Sequence, residues 1–85
     1  MSSNIEVIVK LFAIYQEIYQ KDELRISLPE RSTVQDVLEQ IIKTHPTLER
    51  WRTLTRFGIN LQFVSPETIL HNGDEVVLIP PVNGG

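Results

Sequence analysis

Cysteine is absent from this chain, which excludes disulfides, a thiol nucleophile, iron–sulfur ligation and cysteine-type zinc sites together. Cations are few: eight Lys and Arg stand against eleven Asp and Glu, a formal net charge of −3 with a pI near 5.2. Nucleic-acid binding draws its affinity from clustered cations, so no nucleic-acid partner is expected. Lys43, Arg50, Arg52 and Arg56 form the only basic cluster, read as a solvated loop surface or a rim for an acidic partner. No apolar run reaches the length that spans a bilayer, and Met1-Ser2-Ser3-Asn4 does not lead from cations into an apolar stretch. The expectation is a cytoplasmic protein with no membrane partner. Glycine is also scarce, four in all, and none builds a phosphate-binding loop. Any use of ATP would fall to a partner, and no bound cofactor or metal is expected.

What is present is ordinary globular composition, with 41% hydrophobic and 22% charged residues in 85. That length predicts a single domain over 1–85 with one modest core and hardly room for an enclosed active site.

Ile5, Val7, Val9 and Leu11 alternate with Glu6, Ile8, Lys10 and Phe12, the period of a strand with one apolar face and one mixed face. Ile14, Tyr15, Ile18 and Tyr19 recur at helical spacing, predicting a short helix over 13–20. Leu24, Ile26 and Leu28 then alternate with polar residues until Pro29, a half-buried strand expected to pair with the first.

From Ser32 the period lengthens. Ser32 or Thr33 is the expected N-cap, with Gln35 three residues after Ser32 as a capping box needs, and Val34, Val37, Leu38, Ile41 and Ile42 share one helical face. His45-Pro46 ends that helix. Leu48, Trp51 and Leu54 predict a helical turn over 47–56, laid across a sheet edge. Phe57 to Val64 reads as strand with a bend at Asn60, and Trp51, Phe57 and Phe63 are expected in the core or covering an edge, the alternative being that one of them is an exposed partner contact. His71-Asn72-Gly73-Asp74 is turn chemistry, and Val76 to Ile79 reads as a strand buried on both faces.

Two strands, one long helix and a final apolar strand returning to the middle make an α+β arrangement. The first and last strands are far apart in sequence, so a long crossover lets them lie parallel. The fold expected is the ubiquitin-like β-grasp, a mixed sheet packed against one main helix, with short accessory helices. Its last strand covers 76–80, and an extended Gly-Gly tail covers 81–85.

That tail is Pro81-Val82-Asn83-Gly84-Gly85 behind Pro80. A terminal carboxylate is a poor electrophile until a partner activates it, for instance as an acyl adenylate made with ATP. Terminal glycines carry no Cβ and can thread a narrow channel. Pro80 and Pro81 hold φ near −65° and favour an extended stalk, lowering the ordering cost of insertion. The remaining polar residues build no enzyme: His45 and His71 sit in loops without ligand spacing, and Asp74 and Glu75 are read as turn hydrogen bonding.

Leu11-Phe12-Ala13, Thr33-Val34, Ile59-Asn60, Leu70 before Gly73-Asp74-Glu75-Val76, and Pro80-Pro81-Val82 before Gly84-Gly85 together resemble the small subunit of molybdopterin synthase. The resemblance spans almost the whole chain, and Gly73 to Gly85 is its most specific part. It implies a sulfur carrier whose terminal glycine is adenylated by an enzyme like that acting on ubiquitin, then converted to a thiocarboxylate. The sulfur comes from a donor such as a cysteine desulfurase or a rhodanese. A large catalytic subunit then receives the tail, and sulfur passes to a pterin precursor of molybdenum cofactor.

By position, the resemblance makes Gly85 the reactive residue and Gly84 the clearance residue. Pro80, Pro81 and Val82 become the stalk, with Asn83 before the glycines and Leu78 and Ile79 where the family meets its partners. Two features depart from the family: Ala13-Ile14-Tyr15-Gln16-Glu17 keeps only the acid of an Arg-Glu pair, and Asn83 replaces a Thr, Ser or Ala. A carrier for thiamine thiazole or a sulfur amino acid, a ubiquitin-like modifier joined to lysines, and a plain interaction domain are the competing readings.

Overall fold

Period-two alternation at the start of the chain becomes two paired strands. In the computed structural model, which describes residues 3–81, β1 (Asn4–Leu11) and β2 (Glu23–Pro29) run antiparallel, Val7 opposite Ile26 and Val9 opposite Leu24. Ile5, Val7, Val9 and Leu11 are buried, while Ile8 and Lys10 are half-covered on the other face.

The short helix α1 (Ile14–Tyr19) connects them, entered through Ala13 at φ 51° without a side-chain cap and closed by Gln20 at φ 54°. Tyr15 is completely buried, and its hydroxyl meets the Thr55 hydroxyl. Thr55 donates its own hydrogen to the Trp51 carbonyl at 2.9 Å, which leaves Tyr15 as the donor between the two hydroxyls. This bond ties α1 to the segment just ahead of Arg56.

Burial pushes the Tyr15 phenol above its ordinary range, and the Thr55 bond opposes part of that shift. A raised value means that the folded chain holds the phenolic proton more tightly than the unfolded chain does. The stabilisation is therefore complete below the ordinary tyrosine value of about 10 and is lost as pH climbs through the raised value. The urea midpoint should fall on the alkaline side of pH ~10, and Tyr15→Phe should flatten that fall, leaving the parts due to Tyr19, whose phenol burial also raises, and to Lys10, whose ammonium is raised by its bond to Glu23. An identical alkaline limb in the variant would assign the proton elsewhere.

Helix α2 (Val34–Thr44) forms as its period requires, with Val34, Val37, Leu38, Ile41 and Ile42 all buried. Each fully buried aliphatic side chain contributes about 1.5 to 3 kcal/mol of transfer free energy, so this face alone commits the helix to the sheet. Its capping box corrects the expected pairing. Thr33 accepts from the Asp36 amide at 3.3 Å, and the Asp36 carboxylate accepts from the Thr33 amide at 2.9 Å. The Ser32 hydroxyl is already committed to the Pro29 carbonyl at 2.6 Å, and Gln35 reaches forward to Glu39.

Beyond His45 the chain tightens into a 3₁₀ helix (Pro46–Trp51), shorter than the expected 47–56 turn, with Leu48 buried and Leu54 half-exposed. It packs against α2 rather than a sheet edge, held by Arg52, which pairs with Glu39 of α2 and with Glu49.

Phe57 to Val64 is a hairpin. Strands β3 (Arg56–Ile59) and β4 (Gln62–Val64) turn through Asn60 and Leu61, both at positive φ. Strand β5 (Glu75–Ile79) then enters between β1, parallel to it, and β3, antiparallel, giving the order β2-β1-β5-β3-β4. Gly73, at φ 88°, makes the preceding turn in a conformation that side chains resist.

A mixed five-stranded sheet with one main helix across it is the ubiquitin-like β-grasp. The expectation of a last strand buried on both faces is corrected: Val76 and Leu78 are buried, Val77 and Ile79 only half-covered. Helix α2 covers one side of the sheet only. For the same reason Phe63, expected to cover the core or an edge, is 75% exposed. The strand also begins one residue earlier than expected and stops at Ile79, because Pro80 has no N–H to continue the ladder.

Candidate functional site

The tail grows out of β5, so its base inherits the rigidity of a strand paired on both edges. Leu78 lies opposite Leu11 on one side and Phe57 on the other, and Ile79 lies opposite Arg56. At the start of the strand, the Ile8 amide donates to the Asp74 carbonyl at 3.0 Å and the Asn60 amide to the Glu75 carbonyl at 2.9 Å. The Asn60 side chain fastens the same point twice, accepting from the Glu75 amide and donating to the Asp74 carboxylate. Asp74 also accepts from the His71 amide at 2.8 Å, so its role in the turn is the hydrogen bonding expected of it.

The candidate residues divide by face. Leu78 is fully buried and turned towards α2, which corrects its assignment as a partner contact: it anchors the strand. Ile79 faces the opposite side and is half-covered, Pro80 is half-buried and Pro81 exposed. Val82, Asn83, Gly84 and Gly85 lie outside the described residues.

The uncovered side of the sheet continues from Ile79 to Val77 and Glu75 along β5, and to Phe63 opposite Gly58 on the hairpin. Beside them opens a groove of about 290 Å³, walled by Phe12 and Leu61 over Val77, with Lys10, Asp22 and Glu75 supplying charge. Phe12 is 51% and Leu61 91% exposed. Lys10 is bonded to Glu23 at 2.8 Å; that bond holds the Glu23 carboxyl below the usual range and raises the Lys10 ammonium. The uncompensated charge of the groove is thus acidic.

Sequence reading identified the tail and missed the groove. Its signal was the Asn60-Leu61 pair between two short strands, but an exposed leucine becomes visible only when the covered face of the sheet is known.

The basic cluster does not act as one patch. Arg52 is engaged by two carboxylates and holds both below their usual range, and Arg50 lies 5.7 Å from the Trp51 ring centroid. Lys43 and Arg56 remain exposed on different elements. His45 meets Tyr19 edge-on at 4.8 Å. Among the described residues no three His, Asp or Glu side chains are grouped to hold a metal, and no helix is long and apolar enough to cross a membrane. The described residues supply a base for the tail paired on both edges and an exposed apolar face beside it.

Comparison with known proteins extends this geometry. The ThiS family profile matches residues 9–85. The chain is similar to the molybdopterin synthase sulfur carrier subunit of Arabidopsis thaliana, 31% identical over 84 residues covering 99% of this chain and 88% of that protein. It is also similar to the protein of the same name from Chlamydomonas reinhardtii, 34% identical over 83 residues covering 95% and 100%. Among solved structures it resembles small archaeal modifier protein 1 of Haloferax volcanii, with a TM-score of 0.77, 26% identity and coverage of 92% and 99%. A β-grasp sheet whose central last strand runs into a Gly-Gly ending, matched along nearly its whole length, belongs to the ThiS family.

Proposed function

We propose that this chain is a sulfur carrier and serves as the small subunit of a molybdopterin synthase. The observation that carries the reading is its near full-length similarity to two sulfur carrier subunits of that name. The placement of β5 supports it, because a strand paired on both edges leads directly into Pro80 and Pro81. An adenylating partner joins the Gly85 carboxylate to AMP with release of pyrophosphate. The outer persulfide sulfur of a donor, a cysteine desulfurase or a rhodanese, then displaces AMP to give a mixed acyl disulfide. A thiol reductant cleaves its S–S bond, becoming oxidised to a disulfide as the terminus leaves as a thiocarboxylate. The tail enters the large subunit, where sulfur passes to the pterin precursor and the carboxylate is restored. Gly84 supplies clearance, while Val82 and Asn83 extend the stalk. A cytoplasmic location, where ATP is supplied, is part of this proposal.

The test is intact mass spectrometry after incubation with ATP, a matching adenylating enzyme and a sulfur donor. The expected product has one oxygen exchanged for sulfur. Absence of that gain, with a known carrier converted alongside, would overturn the reading.

Similarity to small archaeal modifier protein 1 favours one second reading, in which a lysine amine replaces sulfur as the nucleophile. Gly85 found in isopeptide linkage to lysine in cell extract would favour it over sulfur transfer.

A further inference from the structure

Leu61 combines two features that the fold itself does not require. It is 91% exposed, so it adds almost nothing to the core, and its φ of 74° lies in the left-handed region. With Asn60 at φ 48° it forms the centre of a two-residue hairpin turn, where glycine or asparagine is favoured and a leucine backbone is strained. Strain retained at an exposed residue points to a role outside the fold.

The surroundings define that role. Leu61 and Phe12 wall the groove above Val77, on the same strand that becomes the tail. At its polar margin Asp22 and Glu75 stand beside a Lys10 that Glu23 already neutralises. The complementary occupant is a protein segment that seats an aliphatic side chain between Leu61 and Phe12 and places a lysine or arginine beside the carboxylates. Sulfur carrying and lysine conjugation both pass through adenylation, so the adenylating enzyme is the partner common to the readings that use the tail.

We infer that Leu61 is a specificity-determining contact for the adenylating enzyme, which fills the groove between Leu61 and Phe12 with an apolar side chain flanked by a basic one. The inference rests on the sulfur-carrier reading and adds to it a recognition element outside the tail. Because left-handed backbone favours glycine, removing the side chain separates partner recognition from folding.

The experiment measures ATP–pyrophosphate exchange by the matching adenylating enzyme at varied carrier concentration, together with thermal melting of each carrier. For Leu61→Gly the expected result is a KM raised about tenfold, the size of a lost aliphatic contact. Its kcat at saturating carrier should match the parent, and its Tm should be equal or higher by up to about 4 °C. Leu61→Met, which restores an apolar side chain, should return the KM to within about threefold of the parent. Raising the salt concentration should raise the parental KM, because the flanking contact is ionic.

A parental KM for Leu61→Gly overturns the inference, as does a lowered Tm, since Leu61 would then serve the fold. A parental KM combined with weaker binding to the large subunit would move the contact to that partner and overturn this assignment equally. If the parent carrier is itself not adenylated, the sulfur-carrier reading fails and takes the inference with it; if only the Leu61→Gly comparison fails, the reading stands.

Discussion

A carrier extended by one tryptophan after Gly85 will fold as the parent does and take up no sulfur. The extension moves the terminal carboxylate beyond the Gly84-Gly85 pair and gives it a large neighbour, so it fails both requirements of the proposed cycle. The residue presented for adenylation has changed, and the side chain exceeds the clearance that glycine provides. The fold is indifferent to this change, because the buried core residues among those described run from Ile5 to Leu78. Circular dichroism and urea unfolding should superimpose on the parent, while intact mass shows no exchange of oxygen for sulfur. Conversion at the parental rate would defeat the threading argument. Deleting Gly84 and Gly85 should give the same loss, and an intact pathway after that deletion would identify a plain interaction domain.

Leu78→Ala will produce the opposite pattern, failing through the fold. Leu78 has no exposed surface and sits at the middle of the sheet, between Leu11 and Phe57. Truncating a buried leucine at such a position removes about 3 to 4 kcal/mol, a large share of the roughly 5 to 15 kcal/mol that holds a domain folded. For a chain of this size the melting temperature should drop by roughly 15 to 25 °C. Ile79→Ala, one residue later on the uncovered face, should cost about 1 kcal/mol and leave a folded carrier in which partner binding can be measured. Equal losses in the two variants would contradict the division of β5 into an anchoring face and a contact face.

That division explains where sequence reading succeeded and where it stopped. Helix α2 was legible because five aliphatic residues at helical spacing permit one burial solution. Its cap stays open in the sequence between Ser32 and Thr33, since only the folded chain shows that Ser32 is bound to Pro29 and Thr33 is the residue left to bond the Asp36 amide. The parallel pairing of β1 and β5 was legible from two distant apolar strands and a crossover long enough to join them. Burial of β5 was overstated, because four consecutive apolar residues look alike in sequence whether one face is covered or both. Phe63 was assigned to the core or an edge by the same reasoning: hydrophobicity reports what a side chain prefers, whereas the single covering helix decides what it obtains.

The sequence alone determined most of the elements and the parallel closure of β1 on β5, because periodicity, proline and glycine act locally, and it is also the source of the chemistry proposed for the tail. Tertiary structure decided which residues anchor and which remain for a partner. It buried Leu78 and left Ile79 half-covered, engaged Arg52, and raised Phe12 and Leu61 on either side of an open groove. The physical reason is that α2 covers one side of a five-stranded sheet: alternation in β1 and β2 records that side, but β5 is apolar on both faces and carries no local signal of which one is covered.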